Sequence, residues 1–191
     1  MHAMPEGYRL RLADLSDIAE IVAIDRAASE LFRPTGLIRN MPATPDSIPN
    51  DVLTSAIEAG RLTIADHDSD PIGFTLTQDL ASSLYLDQVS VHPDHGRRGV
   101  GRALVEAVIR TASVDGYKDV LLSTFRDVPW NGPFYRSLGF QELKPTQKTS
   151  WMRQIEEAQT ETMDVSLRCF MRRSIGLFER GRLRRVANAM S

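Results

Sequence analysis

The residues with the most chemical content form one run, His92-Pro93-Asp94-His95-Gly96-Arg97-Arg98-Gly99-Val100-Gly101-Arg102. Glycine lets an anion approach the backbone closely, and arginine adds side-chain charge. Ahead of the run, Leu84–Val91 is rich in Leu, Val and Tyr and reads as a strand, which Pro93 stops. Behind it, Ala103, Leu104, Ala107, Val108 and Thr111 share one helical face. A helix start presents unpaired N–H groups and the positive end of the helix dipole. Strand, glycine-rich loop and helix together predict a phosphate-binding turn rather than a plain connector. No Gly-Lys-Ser/Thr follows, so this is not a Walker loop, and Gly96-x-x-Gly99-x-Gly101 does not have the dinucleotide spacing.

The elements that position this run are legible on both sides of it. Tyr8–Leu12 alternates as a first strand, and Asp14 caps a helix that runs to about Ala28, with Asp17 in its first turn. Residues 29–49 carry too many breakers for a long helix and read as a substrate-side lid as readily as a surface loop. A short helix over Val52–Ala59, capped by Asn50 or Asp51, ends at Gly60. Arg61–Asp66 and Ile72–Gln78 are strands joined by a turn at His67–Pro71, and Ala81–Ser83 turns into the Leu84–Val91 strand. Turns this short imply an antiparallel meander. The helix after the glycine-rich loop ends near Gly116, and Lys118–Thr124 follows as a strand, so the pair joined through that helix is parallel. Pro129–Leu138 is a short helix stopped by Gly139, and Phe140–Leu143 is a strand. Thr149–Glu161 is a helix with Trp151, Met152, Ile155 and Ala158 on one side, a face that suits pairing into a homodimer. Val165–Met171 alternates as the last strand. The sheet is mixed, with helices on its faces, an α/β (α+β) architecture.

With 191 residues the chain suits one domain over 1–174 and a basic tail over 175–191. Arg180, Arg182, Arg184 and Arg185 face Glu179 alone in that tail, which reads as a solvated end. A net charge of −2 implies no global attraction to nucleic acid or membrane. Cys169 is the single cysteine, so neither an internal disulfide nor a cysteine metal cluster forms. The N-terminus lacks a secretory apolar segment, and no apolar run spans a bilayer; a cytoplasmic protein is expected.

Val91-His92-Pro93-Asp94-His95-Gly96-Arg97-Arg98-Gly99-Val100-Gly101-Arg102-Ala103-Leu104 resembles the acyl-CoA-binding motif of the GNAT superfamily of N-acetyltransferases. That motif reads Gln/Arg-x-x-Gly-x-Gly/Ala after a Val-x-Pro strand end. Gly96 stands where Gln or Arg is usual, a position that mainly offers a backbone N–H to the pyrophosphate. Phe134-Tyr135-x-x-Leu138-Gly139-Phe140 is similar to a second family segment, with Asn131 nearer to the tyrosine than is usual. The resemblance covers about Tyr8 to Arg173. It implies a mostly antiparallel sheet whose central parallel pair splays apart, and acetyl-CoA as cosubstrate. Gly96, Arg97, Arg98, Gly99, Val100, Gly101 and Arg102 would hold the pyrophosphate. Val89 N–H would meet the thioester oxyanion, and Val91 and Asn131 the pantetheine arm. Tyr135 would be the general acid near the sulfur.

The base is open on the residues themselves. Some family members use a glutamate on the central strand, where this chain has Tyr85. Asp87 shares the parity of Tyr85 and is the leading carboxylate; Glu30, near the lid, is another, and a water chain is a third route. His92 and His95 read as loop histidines and are not spaced as metal ligands. Ser90 lacks a Gly-x-Ser-x-Gly elbow. The expected activity is transfer of an acetyl group from acetyl-CoA to a primary amine by direct attack in a ternary complex, with a small-molecule amine favoured. The alternative is a non-catalytic acyl-CoA-binding or regulatory module.

Overall fold

The computed structural model describes residues 6–176, so the basic tail beyond Gly176 lies outside the described residues. Seven strands form one sheet: β1 (Tyr8–Leu12), β2 (Leu62–His67), β3 (Asp70–Leu80), β4 (Ser83–Val91), β5 (Asp119–Phe125), β6 (Gln141–Glu142) and β7 (Arg168–Ser174), in the order β1-β2-β3-β4-β5-β7-β6. The helices are α1 (Ile18–Ser29), α2 (Asn50–Glu58), α3 (Val100–Val114), α4 (Gly132–Ser137) and α5 (Ser150–Gln159). The sheet is mostly antiparallel with one parallel pair, β4 and β5, as the helical crossover requires. Its packing divides into two compact units. One takes the chain up to Gln78 together with Asp87–Glu106; the other takes Asp79–Leu86 and the chain from Ala107 on.

In the first unit, apolar positions at helical spacing in α1 and α2 meet alternate positions of β2 and β3. Ile21, Ile24, Leu53, Leu62, Ile64, Phe74 and Leu76 form that core. A second cluster sets Val100 and Leu104 of α3 against Ala65, Ile72 and Val91. A register shift between Ala65 and Asp66 interrupts the β2–β3 ladder. Asp66, fully buried beside it, takes Arg9 Nε at 3.0 Å and Arg11 Nε at 2.8 Å on one oxygen. Arg11 also forms a two-armed pair with Asp17, both contacts at 2.7 Å, which drives the Asp17 carboxyl below its ordinary range. Asp14 and Asp17 close the first turn ahead of α1 with reciprocal backbone contacts, the N-terminal signal the sequence carried.

In the second unit, β5 and β7 pair over seven positions, and β6 adds to β7 at Met171 and Arg172. The parallel ladder is short, joining Ser83–Tyr85 to Asp119–Leu121. Tyr85, Leu121, Leu143, Met152 and Phe170 are its core, with Trp151 edge-on to Tyr85 and Phe170 at 5.3 and 5.7 Å. Of the apolar face of α5, expected to be exposed for pairing, Trp151, Met152 and Ile155 pack into this cluster and Ala158 is exposed. The last strand begins at Arg168 rather than Val165. Asp164 accepts from Ser166 N–H at 2.9 Å and folds Val165–Leu167 into a 3-10 turn, a local capping bond that overrides the alternating pattern.

Candidate functional site

The glycine-rich run forms a 3-10 turn at Pro93–His95, an exposed loop, and the start of α3. Arg97 (φ 58°) and Gly99 (φ 85°) both adopt left-handed backbone, which glycine takes freely and arginine does not. The backbone ladder of α3 opens with Ala103 N–H donating to the Gly99 carbonyl at 3.0 Å. The amides of Val100 and Gly101 precede that bond and have no carbonyl one turn back. Gly96 differs from expectation. Its N–H donates to Pro93 O at 2.9 Å and closes the 3-10 turn, so this amide is engaged within the protein. Glycine is still favoured there, because a Cβ would meet Pro93 O at 3.0 Å.

The loop is braced by residues that sequence reasoning did not join to it. Tyr8 Oη lies 3.0 Å from His95 Nδ1 and accepts from Arg98 Nη1 at 3.2 Å. Tyr8 also stacks on His67 at 4.3 Å, and His67 lies 5.2 Å from His95. Desolvation, then the charges of His67, Arg98 and His92, push the His95 pKa down, so it is the neutral imidazole that meets the tyrosine. His92 Nδ1 accepts from Asp94 N–H at 3.4 Å, a local turn contact. Arg102 reaches Glu106 at 3.8 Å. Among the described residues, no group of three or more His, Cys, Asp or Glu side chains is placed to hold a metal.

On β4, Asp87, Val89 and Val91 lie in the same unit as the loop. Asp87 takes Gln78 Nε2 at 2.8 Å; Gln78 shares its strand face with the core residue Leu76. The next residue, Gln88, donates to Asp25 of α1 at 2.8 Å, and Ser90 Oγ donates to the same oxygen at 3.0 Å. Asp87 is exposed, yet the protein around it withdraws enough water to raise its carboxyl pKa, against the opposing Gln78 bond. Asp25 is 5% exposed, and its pKa is raised by burial against the pull of Ser90, Gln88 and the Ile48 backbone N–H. It ties α1, the connection that follows, and β4 together. Glu30 is occupied otherwise. It grips Arg33 at 2.5 and 2.7 Å, and that bond lowers its pKa, which makes it a poor base. Arg33 in turn caps the carbonyls of Pro42 and Ala43, folding residues 33–43 into a clip.

Tyr135 and Asn131 belong to the second unit. Gly132 opens α4 against the backbone of Arg126; a Cβ there would stand 2.0 Å from Arg126 O. Asn131 precedes it at the cap position without a side-chain cap bond, and its Oδ1 is buried without a partner. Tyr135 is buried between Phe134 and Phe140, at ring distances of 5.1 and 5.7 Å. Desolvation pushes its phenol up to about 12, with the Arg168 charge opposing, so the hydroxyl holds its proton at neutral pH. Cys169 is buried in β7 and its thiol is raised to about 11, also by burial, which leaves it unreactive.

Fold and loop together match the GNAT fold. A family model described as "Acetyltransferase (GNAT) domain" matches residues 58–142, which take in β3, β4, the loop, α3 and the Tyr135 helix. Solved structures agree over nearly the whole chain. The PaiA N-acetyltransferase of Thermoplasma acidophilum, in complex with coenzyme A, is 14% identical at a TM-score of 0.66, covering 88% of this chain and 99% of that one. The YncA protein of Salmonella typhimurium, with its cofactor acetyl-CoA, is 18% identical at 0.63, covering 90% and 96%. The ribosomal-protein-S18-alanine N-acetyltransferase of Escherichia coli is 19% identical at 0.63, covering 89% and 95%. At these identities the likeness is one of fold. The chain has the GNAT fold.

Proposed function

We propose that the chain is an acetyl-CoA-dependent N-acetyltransferase acting on a small-molecule primary amine by direct attack in a ternary complex. The observation that carries this is the start of α3. Val100 and Gly101 offer two amides at a helix N-terminus, behind a loop with Arg97 and Arg98, inside the segment the family model matches. A pyrophosphate is the group that fits such a turn. Gly96 supports the bend but not an amide contact.

The residues fit the coenzyme in kind: amides and arginines for phosphate, and a buried Asn131 carbonyl and Val91 backbone for the amides of pantetheine. The chemistry is one exchange. The N–C bond to the acetyl carbon forms, the C–S bond breaks, the amine loses a proton, and the coenzyme sulfur gains one. By family resemblance, Val89 N–H would donate to the oxyanion. Tyr135, protonated at neutral pH, would supply the proton to sulfur. Asp87, with its raised pKa, is a better base than an ordinary aspartate and would take the amine proton through water.

The test is free-thiol release from acetyl-CoA with a panel of primary amines, alongside calorimetry with coenzyme A. Binding with turnover supports the reading. Binding with no turnover on any amine identifies a non-catalytic acyl-CoA module, and absence of binding rejects both.

A further inference from the structure

Within the second unit, one charge stands without the partner that burial normally demands. Arg168, at the head of β7, is half-buried, and its Nε is out of reach of solvent with no hydrogen-bond partner. Its guanidinium makes a single side-chain hydrogen bond, Nη2 to Ser123 Oγ at 3.1 Å, and lies 4.9 Å from the centre of the Phe125 ring. No carboxylate among the described residues pairs with it. A guanidinium has five donors in a fixed fork that matches a carboxylate, and a withdrawn cation left without one is costly. Burial accordingly lowers the Arg168 pKa, opposed by Tyr85, Cys169 and Tyr135.

The surroundings add to the surplus of positive charge. Arg126 is taken by Glu142 at 3.0 Å and by the carbonyls of Ser166 and Arg168. Arg136 donates to Arg126 O at 3.1 Å. Glu142 thus serves Arg126, and Arg168 faces neutral groups, the Ser123 hydroxyl and the Phe125 ring. Phe125 is the ladder partner of Arg168, and its carbonyl packs against Gly132 at the start of the helix that carries Tyr135, which puts the cation in the neighbourhood of the residue proposed to serve the leaving sulfur.

Resting on the N-acetyltransferase reading, we propose that Arg168 is a specificity residue for an acceptor that carries a carboxylate beside its primary amine, as a free amino acid does. Such an acceptor completes the fork that the protein leaves open and brings its amine to the side of Tyr135. An amine without an anionic group leaves the guanidinium unpaired.

The experiment compares free amino acids with their carboxamides, at equal concentration, in the thiol-release assay with wild type, Arg168→Gln and Arg168→Lys. Wild type should favour at least one acid over its amide by about 10²-fold in kcat/KM, the scale for a paired against an unpaired buried charge. Arg168→Gln should collapse that ratio to within about threefold, mainly through KM, and Arg168→Lys, cationic but without the fork, should fall between. Coenzyme A affinity should be unchanged in both variants. Equal turnover of acids and amides overturns the proposal, and so does a uniform kcat loss on every amine, which would make Arg168 a partner of Tyr135 only. A fall in coenzyme A affinity in either variant also overturns it, because the anion would then belong to the coenzyme. Turnover of amides with none of acids sinks the proposal and leaves the acetyltransferase reading intact; failure of wild type to bind coenzyme A sinks that reading instead.

Discussion

Asp25 and Arg168 are both charges withdrawn from water, and the protein treats them in opposite ways. Asp25 receives Gln88, Ser90 and the Ile48 amide, so its carboxylate is fully engaged within the chain. Arg168 receives one hydroxyl and an aromatic face, and part of its fork is empty. A buried charge that the fold satisfies holds elements in place. One that the fold leaves short is a cost to stability that function can explain. The two side chains therefore assign different tasks to the two units: fixing β4 on one side, receiving a ligand group on the other.

The contrast breaks most directly at Asp25. Asp25→Ala should lower the unfolding free energy by about 3 kcal/mol, because three donors lose their acceptor in the core. Urea denaturation measures it, and a loss below about 1 kcal/mol would mean that water replaces the carboxylate easily. Next comes Tyr135→Phe, beside Arg168. It should reduce kcat by about 10²-fold and leave coenzyme A affinity intact; unchanged turnover would remove the phenol from the chemistry. The counterpart on the unsatisfied side is Arg168→Met, which should leave stability unchanged or raise it by about 1 kcal/mol by removing an uncompensated charge. A large loss in the same urea experiment would put Arg168 in the structural class with Asp25.

A pH series sharpens the same comparison. The Asp25 pKa is raised in the folded state, so the native protein binds its proton more readily than the unfolded chain does. Wild type should therefore gain stability relative to Asp25→Asn as pH falls from neutral through the folded pKa. A difference that is flat with pH would show that Asp25 titrates normally. The smallest effect is expected at the loop brace. Tyr8→Phe removes the acceptor of Arg98 and should weaken coenzyme A binding about fivefold, near 1 kcal/mol, read by calorimetry.

Much of this was visible in the sequence. The strand, glycine run and helix around residues 84–114 are local signals, and they formed as their periodicity dictates. Asp25 could have been noticed, since it stands four residues after Ile21 on the buried stripe of α1. What could not be read is partnership across the chain. Nothing in the spacing joins Tyr8 to His95, eighty-seven residues apart, or shows that Glu30 is claimed by Arg33 and is lost as a base. Parity placed Asp87 on its strand, and the bond it takes from Gln78 is a tertiary feature. Arg168 reads as one more alternating strand residue; only the assembled unit shows that no carboxylate among the described residues reaches it.

The central claim is that the amides opening α3 hold a pyrophosphate. Calorimetric titration of coenzyme A into wild type and into Gly101→Glu, which sets a carboxylate among those amides, tests it most directly. The account predicts saturable one-to-one binding to wild type and at least a 10²-fold loss in the variant, the scale of a phosphate facing a like charge in place of a free amide. No heat with wild type, or equal affinity in the two proteins, would contradict it.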